Sequence, residues 1–289
     1  MFVISGATGR VGSAVAAGLL AAGQPVRVLV RRPTAAEEWQ VRGATVSVVD
    51  LRDRAGLSAA LEGATGFFAM MPFDLTTTDL DAYAREVVDS VAGAVQDSGV
   101  AHTVMLSSGG ADLPEGTGPI AGLYLMEQAL AGTGTTLTAL RPGHFQEKVG
   151  DVLEPARHEG IYPVFSSTAD APVPMNATRD IAAVAVQEFL ADPTRSEVVD
   201  IVGPSYTERE VAETLGQALG RELQVVTIPG PGWRGALMDA GFAPNIAESL
   251  SELYRADEQG RLGPRGDRSV PATTELATTI NGMLDVVNA

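Results

Sequence analysis

Strand-like and helix-like blocks of apolar residues alternate along the first half of the chain. Continuous apolar runs predict strands over residues 1–5, 26–30, 45–49, 66–71, 103–106 and 136–140. Apolar residues spaced three and four apart predict helices over residues 11–22, 53–61, 79–98 and 123–131. Because the strands are apolar on both faces, we expect a parallel sheet covered by helices on both sides. The predicted fold class is α/β, with a Rossmann-like doubly wound parallel sheet.

The second half of the chain follows a less regular pattern. Prolines with Ser and Thr between them interrupt residues 150–176, which we interpret as loop and short elements. A helix at 180–190 and a strand at 198–202 return to the sheet, and a capping-box sequence at 207–210 opens a helix that ends near 219. A further strand is predicted at 223–228. The rest of the chain is predicted to be mainly helical, with a loop at 260–267. We therefore predict a Rossmann domain over residues 1–150 with a returning segment at 176–204, and a smaller α+β C-terminal substrate cap from 151–175 and 205–289.

Composition and charge exclude several classes of protein. The 289 residues are 45% hydrophobic, with 20 basic against 36 acidic side chains and no cysteine. A large apolar core is therefore available, whereas disulfides, thiol catalysis and thiolate metal sites are excluded. The formal net charge of −16 disfavours nucleic-acid binding, and the three histidines lack metal-ligand spacing. We find no secretion signal and no apolar stretch long enough to cross a bilayer, and we expect a cytoplasmic protein without a membrane or metal partner.

The strongest motif is a glycine-rich turn between the first predicted strand and the first predicted helix, at residues 6–12. Its glycines permit a tight turn and let main-chain N–H groups approach a diphosphate, and the helix N-terminus favours negative charge. An ordinary strand-to-helix loop is the alternative, but the position inside a β-α-β unit favours dinucleotide binding. The predicted contacts are Gly6, Thr8, Gly9, Arg10, Val11 and Gly12.

The end of the second strand indicates which dinucleotide binds. NAD-binding folds place a carboxylate about 20 residues beyond the turn, whereas NADP requires a cation there. Here the strand ends in Arg31 and Arg32. A guanidinium can grip a 2′-phosphate through paired hydrogen bonds, and Arg10 can approach from the other side. The sequence therefore predicts NADP(H) as cofactor, with solvated surface charge as the alternative role of both arginines.

Seven short stretches make the sequence resemble the NmrA-like branch of the atypical short-chain dehydrogenase/reductases. They are residues 6–12, 28–32, 49–51, 106–108, 140–145, 179–182 and 202–204. The resemblance covers most of the chain and implies a nicotinamide-dependent oxidoreductase or, as for some members, a regulator.

The resemblance also implies roles for individual residues. Asp50 and Leu51 are expected to contact the adenine, and Ser107 and Ser108 to lie beside the nicotinamide. The residues expected to line the middle of the cofactor are Met70, Met71 and Pro72, and those expected to pack against the nicotinamide ring and the substrate are Pro142, Gly143, His144 and Phe145. The alternatives are core packing for the methionines and local hydrogen bonding for the serines.

The catalytic pattern of the larger superfamily is incomplete in this chain. That pattern is Ser, Tyr and Lys, with Tyr-x-x-x-Lys on one helical face so that the ammonium lowers the pKa of the phenol. The best tyrosine is Tyr124, but the fourth residue after it is Gln128, and the only lysine is Lys148. Without a nearby cation Tyr124 is a poor base, although it can act as an acid or a hydrogen-bond donor.

Three functions are compatible with these residues. The first is NADPH-dependent reduction of a quinone or extended enone, whose delocalised oxyanion needs little acid and is stabilised by Ser107, Ser108 or Tyr124. The second is carbonyl reduction with Tyr124, His144 or Lys148 as a substitute acid, although a lone histidine is more often structural. The third is a non-catalytic NADP(H)-sensing regulatory protein.

The predicted cap carries several large apolar residues. They are Tyr162, Phe165, Trp233, Met238 and Phe242. These side chains suit a flat, aromatic or quinonoid small molecule, although packing within the cap explains them equally. We therefore predict an NADPH-dependent reductase of a small apolar carbonyl, quinone or enone substrate.

Overall fold

The computed structural model describes residues 1–191 and 193–288. Asp192 and Ala289, which belong to the predicted returning segment and cap, lie outside the described residues. In chain order the strands are β1 (Phe2–Ile4), β2 (Val26–Val30), β3 (Thr45–Val48), β4 (Gly66–Met70), β5 (His102–Leu106), β6 (Thr136–Pro142), β7 (His144–Phe145), β8 (Ile161–Val164), β9 (Val173–Asn176), β10 (Glu197–Val202), β11 (Ser205–Tyr206), β12 (Gln224–Thr227) and β13 (Arg268–Pro271).

Helices connect and cover these strands. The α-helices are α1 (Arg10–Ala21), α2 (Ala36–Val41), α3 (Arg54–Leu61), α4 (Leu80–Ser98), α5 (Ile120–Ala131), α6 (Leu153–His158), α7 (Thr178–Leu190), α8 (Glu208–Leu219), α9 (Gly230–Asp239), α10 (Pro244–Glu258) and α11 (Leu276–Asn288). Two segments form 3-10 helices, Pro33–Ala35 and Gln146–Val152.

Eight strands form the main sheet, in the order β13-β10-β6-β5-β4-β1-β2-β3. Each neighbouring pair runs parallel, which confirms the predicted Rossmann-like α/β fold. The strand order reverses between β1 and β4, so the chain leaves these two strands toward opposite faces of the sheet. A crevice therefore opens at their carboxyl ends, where sheets of this kind bind ligands.

Consecutive residues of the central strands are buried on opposite faces of the sheet. Phe67 and Phe68 of β4 both have no exposed surface. Phe67 packs in the core under α3, α4 and α5, and Phe68 packs in the core under α1 and α7. Because helices cover both faces, the central strands are continuous apolar runs in the sequence.

The cap has a core of its own and two small sheets, β11-β9-β7 and β12-β8. Residues 150–176, interpreted from the sequence as loop and short elements, contain α6, β8 and β9. The predicted capping box is present, because the Thr207 side chain accepts from the Glu210 N–H at the start of α8. No helix within residues 1–191 and 193–288 has both the length and the apolar character that crossing a bilayer requires.

β13 was not predicted from the sequence. It pairs with β10, so part of the predicted cap segment 205–289 lies at the edge of the main sheet. This edge strand has only four residues and ends in Pro271. A short edge strand that contains proline has neither the continuous apolar run of a buried strand nor a clear alternation of apolar and polar residues. Its sequence therefore indicates a strand only weakly.

Candidate active site

The crevice between β1 and β4 begins at the glycine-rich turn. Gly6 has a φ of +66°, which favours glycine, and its oxygen accepts from the Gly9 N–H at 2.9 Å. A Cβ on Gly12 would lie 2.4 Å from the Gly6 oxygen and 2.6 Å from the Ser5 oxygen, so only glycine lets α1 start this close to the turn. Within the described residues, no side chain caps α1 and its first turn has no acid. The first-turn N–H groups therefore suit a diphosphate.

The other residues of the turn differ in exposure. Thr8 and Arg10 are exposed, whereas Val11 is buried in the core under α1. The Arg10 Nη2 atom lies 3.4 Å from the position that a Cβ on Gly150 would take. Arg10 therefore extends toward the 3-10 helix Gln146–Val152, and its approach to a 2′-phosphate stays a prediction.

The predicted adenine end of the crevice is rich in charge. Arg31 and Arg32 are exposed where β2 ends. Asp50 accepts hydrogen bonds from the Nε and Nη2 atoms of Arg52, each at 3.1 Å. These bonds, with the charges of Arg52 and Arg31, hold the pKa of Asp50 below its usual range. Arg52, which lies over the Tyr83 ring at 5.6 Å, is a cation at this end that the sequence analysis missed.

The residues predicted to line the middle of the cofactor separate into two groups. The Met70 Cγ atom lies 3.0 Å from the position that a Cβ on Gly6 would take, and Pro72 is half-buried. Met71 is instead buried in the core under α3, α4 and α5, as is Leu51, which was predicted to contact the adenine. Core packing therefore describes the Met71 side chain, and Met70 is the methionine that borders the crevice.

Ser107 is held by a buried ion pair at the end of β5. Its hydroxyl donates to Glu127 Oε1 at 2.5 Å, and Arg141 donates to the same carboxylate from Nε at 2.9 Å and from Nη2 at 2.5 Å. The side chains of Arg141 and Glu127 are only 7% and 5% exposed. This pair was not predicted from the sequence, although each residue is the only charged one of an apolar helix or strand, and such a charge needs a buried partner.

The side chains of Ser107, Tyr124 and Lys148 share no hydrogen bond with one another among the described residues. Ser108 and Tyr124 are half-buried, and among the described residues neither side chain has a hydrogen-bond partner. Gln128, one turn after Tyr124 on α5, is exposed. Lys148 lies in the 3-10 helix after β7, on a different element from Tyr124.

The segment after β6 leads from the main sheet into the cap. Pro142 ends β6, and its oxygen accepts from the Gly109 N–H at 3.1 Å, so the exits of β5 and β6 lie together. Gly143 then leads into β7, where His144 and Phe145 pair with β9 of the cap sheet. The structure therefore places these residues near Ser107, at the carboxyl ends of the strands of the main sheet.

His144 and Lys148 meet in one ionic cluster with the cap. His144 Nε2 lies 3.1 Å from Asp257 Oδ2, and His144 Nδ1 lies 3.3 Å from Lys148 Nζ. Lys148 also forms an ion pair with Glu208, the first residue of α8. Neither carboxylate was predicted from the sequence, because Glu208 stands in a capping box and Asp257 lies among other acids of α10.

The apolar residues of the cap mostly pack against each other. Tyr162 and Trp233 are buried, and Phe165 and Trp233 contact the ring of Tyr254 at centroid distances of 5.2 and 5.8 Å. Met238 is exposed on α9. Packing within the cap therefore accounts for most of these side chains.

Comparison with known proteins agrees with this geometry. The model of the NmrA-like family matches residues 1–279. The chain belongs to the NmrA-like family. It is 35% identical to a (4-alkanoyl-5-oxo-2,5-dihydrofuran-3-yl)methyl phosphate reductase of Streptomyces griseus subsp. griseus, over 96% of this chain and 92% of that protein. It is 30% identical to an NAD(P)H azoreductase of Xenophilus azovorans, over 88% of this chain and 86% of that protein.

A solved structure has the same fold. The NADPH-dependent quinone oxidoreductase of Escherichia coli, in complex with NADPH, superimposes with a TM-score of 0.76 at 22% identity, over 98% of this NmrA-like chain and 100% of that chain. The family match and the two named reductases confirm the predicted enzyme class: the chain is an NAD(P)H-dependent oxidoreductase. The NADPH in the Escherichia coli structure agrees with the predicted cofactor, NADP(H).

Proposed function

We propose that this protein uses NADPH to reduce a conjugated acceptor, a quinone or an enone, in preference to an isolated ketone or aldehyde. When bound, NADPH supplies the hydride. The names of the relatives support this acceptor class, because a quinone, an azo compound and an unsaturated oxo-dihydrofuran all spread the incoming charge over a conjugated system. The net charge of −16 disfavours a nucleic acid as partner, and a small molecule of the cytoplasm stays the proposed one.

The arrangement around Ser107 favours a conjugated acceptor over an isolated carbonyl. Ser107 gives its hydroxyl hydrogen to Glu127, and a glutamine stands four residues after Tyr124 where the superfamily has lysine. An isolated carbonyl becomes a localised alkoxide on hydride addition and needs a strong acid beside it. A conjugated acceptor leaves a delocalised oxyanion, for which one cationic donor is sufficient.

Lys148 is the proposed donor. Its ammonium has three N–H groups, of which Glu208 and His144 Nδ1 take two. The third is available for the oxygen of a substrate at the exit of β6. His144 has both ring nitrogens engaged, so it serves Lys148 and does not itself face the substrate. Ser108 and Tyr124 remain predicted as further donors to the same oxygen.

At the other end of the crevice, main-chain groups and a cation are proposed to hold the cofactor. The N–H groups of the Gly6 to Gly12 turn bind the diphosphate, since only glycine fits at residue 12. Arg31 binds the 2′-phosphate, supported by its exposed position after β2 and by the effect of its charge on the pKa of Asp50.

An NADPH-oxidation screen tests the proposal. The purified full chain is mixed with a benzoquinone, a butenolide, an azo dye, an aliphatic ketone and an aldehyde of similar size. We expect the conjugated acceptors to be turned over about 100-fold faster than the isolated carbonyls, the difference one positioned acid commonly makes. Faster turnover of the isolated carbonyls contradicts the proposal. Tight NADPH binding without turnover of any acceptor favours the sensor.

A further inference from the structure

Five titratable side chains form one continuous chain of contacts where the cap meets the main sheet. They come from five different elements: Asp257 of α10, His144 of β7, Lys148 of the 3-10 helix, Glu208 of α8 and Tyr162 of β8. The Tyr162 hydroxyl donates to Glu208 Oε2 at 2.7 Å, while Lys148 contacts Glu208 Oε1. Both carboxylate oxygens of Glu208 therefore have donors.

The partners of His144 fix which of its nitrogens carries the proton. Asp257 can only accept at Nε2, so this nitrogen carries the hydrogen. The lone pair of Nδ1 then faces the Lys148 ammonium at 3.3 Å. In this tautomer Nδ1 accepts from Lys148, so the position that Asp257 gives the ring is transmitted to the ammonium.

Both cap carboxylates are ionised in this environment. Burial alone would raise the pKa of Glu208, but Lys148 and the hydrogen bond from Tyr162 outweigh it and hold that pKa below its usual range. Burial likewise opposes ionisation of Asp257, and the hydrogen bond from His144 with the charge of Lys148 holds its pKa low. Burial and Glu208 raise the pKa of Tyr162, which therefore stays a donor to Glu208.

The side chains of the cluster are partly exposed. The side chains of Lys148 and Glu208 are 30% and 19% exposed, and those of His144 and Asp257 are 26% and 31% exposed. One member of the cluster, His144, is the first residue of β7 and follows the carboxyl end of β6 by two residues. Lys148 is therefore held by carboxylates yet partly open to solvent, as a donor to a substrate oxygen must be.

We propose that Glu208 and Asp257 are positioning residues: from two cap helices they hold Lys148 and His144 so that one N–H of the Lys148 ammonium points to the substrate oxygen. This inference rests on the proposed function. The substrate is reduced by two electrons at carbon, with NADPH as the oxidised partner, and gains one proton from Lys148 at oxygen. The neutral amine then takes a proton from water, and both carboxylates stay ionised throughout.

Kinetics of two conservative variants test the proposal. Glu208→Gln keeps the size of the side chain but removes the charge that holds Lys148, and Asp257→Asn does the same for His144. We expect kcat with the best acceptor to fall about 100-fold in Glu208→Gln and about tenfold in Asp257→Asn, which acts one contact further away. The NADPH dissociation constant should change by less than about twofold, since the turn at Gly6 is untouched. Glu154→Gln is the matched control, because Glu154 pairs with His158 on the exposed surface of α6.

A double variant separates positioning from general damage. In a Lys148→Met background, Glu208→Gln should cause no further loss of kcat, because the residue it positions is already gone. Losses that multiply in the double variant, variants with kcat within about twofold of wild type, or a parallel loss of NADPH affinity would each overturn the proposal.

Lys148 is the only lysine, which allows a measurement that needs no cofactor or substrate. Trinitrobenzenesulfonate labels amines, and mass spectrometry of the Lys148 peptide gives its labelling rate in the folded full chain. We expect labelling about fivefold faster in Glu208→Gln than in wild type and an unchanged rate in Glu154→Gln, because only the first frees the Nζ atom from its carboxylate. An unchanged rate in Glu208→Gln overturns the positioning role, whereas failure of wild type to reduce any acceptor counts against the proposed function alone.

Discussion

Replacing Glu127 with glutamine should destabilise the protein strongly, because it leaves Arg141 buried without a full counter-charge. The Glu127 carboxylate accepts three hydrogen bonds, one from Ser107 and two from Arg141. The next carboxylate, Asp112, has an oxygen 3.8 Å from Arg141 Nη1 and is itself bound to Arg265 at 2.8 Å. At 3.8 Å the Asp112 Oδ1 atom does not hydrogen-bond to Arg141, so Asp112 compensates the guanidinium charge only in part.

The size of the effect follows from what the glutamine keeps. Removing one partner of a buried ion pair costs about 3–5 kcal/mol. The amide oxygen of Gln can still accept from Ser107 and from Arg141 Nε, which recovers about 1 kcal/mol. Its NH2 group, however, faces the Arg141 Nη2 donor and cannot bond to it. We therefore expect the free energy of unfolding to fall by about 2–4 kcal/mol, and Tm by about 5–15 °C for a chain of this length.

Urea unfolding followed by circular dichroism measures this loss. An unchanged m-value shows that the substitution lowers the stability without changing the surface exposed on unfolding. Glu38→Gln is the control: Glu38 pairs with Arg42 at 2.6 Å, but the two side chains are 65% and 48% exposed. We expect less than about 0.5 kcal/mol there. The double variant Glu127→Leu with Arg141→Met should be more stable than Glu127→Gln alone, since no charge is left buried. A loss below about 1 kcal/mol in Glu127→Gln would refute the reasoning.

Two further predictions concern the cofactor and acid stability. Arg31→Ala should weaken NADPH binding by about 1.5–3 kcal/mol, measured by calorimetry, and leave NADH binding nearly unchanged. Arg195→Ala is the control, because Arg195 is also exposed. Equal losses for both cofactors would contradict the role of Arg31. Glu208 and Asp257 have pKa values below their ordinary 4.5 and 3.8, so their stabilising contribution is complete above those values and is lost as pH falls through the lower folded-state pKa. Tm should therefore fall more steeply below about pH 4.5 in wild type than in Glu208→Gln, and parallel curves would contradict the assignment.

The parts of the fold that the sequence predicted well are those buried on two faces. β2 has its predicted bounds, 26–30, because four of its five residues are apolar and buried. The start of α5 was predicted late, at 123 instead of Ile120. Pro119 at its N-cap follows a glycine-rich loop, so local sequence marks a turn there while packing against α4 extends the helix. Tertiary contact, which has no local signature, decides such boundaries.

The site was predictable where chemistry is local and was missed where it depends on distant pairs. The glycine turn at residues 6–12 is one continuous segment, and its geometry follows from its own residues. Glu208 is 60 residues from Lys148, and nothing in either neighbourhood indicates the other. A lone charge such as Arg141 in an apolar strand does predict a buried partner, but not which of the 36 acids provides it.

The Arg141–Glu127 pair and the Lys148–Glu208 pair, both near the carboxyl ends of β5 and β6, differ in exposure. We therefore expect substitutions in the two pairs to have different effects on stability and on kcat. Arg141 and Glu127, at 7% and 5% exposed, are too enclosed to reach a substrate or exchange protons with water, so they hold the exits of β5 and β6 in place. Lys148 and Glu208, at 30% and 19% exposed, are partly open to solvent, so removing the charge of Glu208 costs less stability because water can solvate the remaining ammonium. Glu127→Gln should therefore lower Tm more than Glu208→Gln does, while Glu208→Gln should lower kcat more. If both variants lost stability and kcat in the same proportion, the two clusters would have one shared role, that of holding the cap on the sheet.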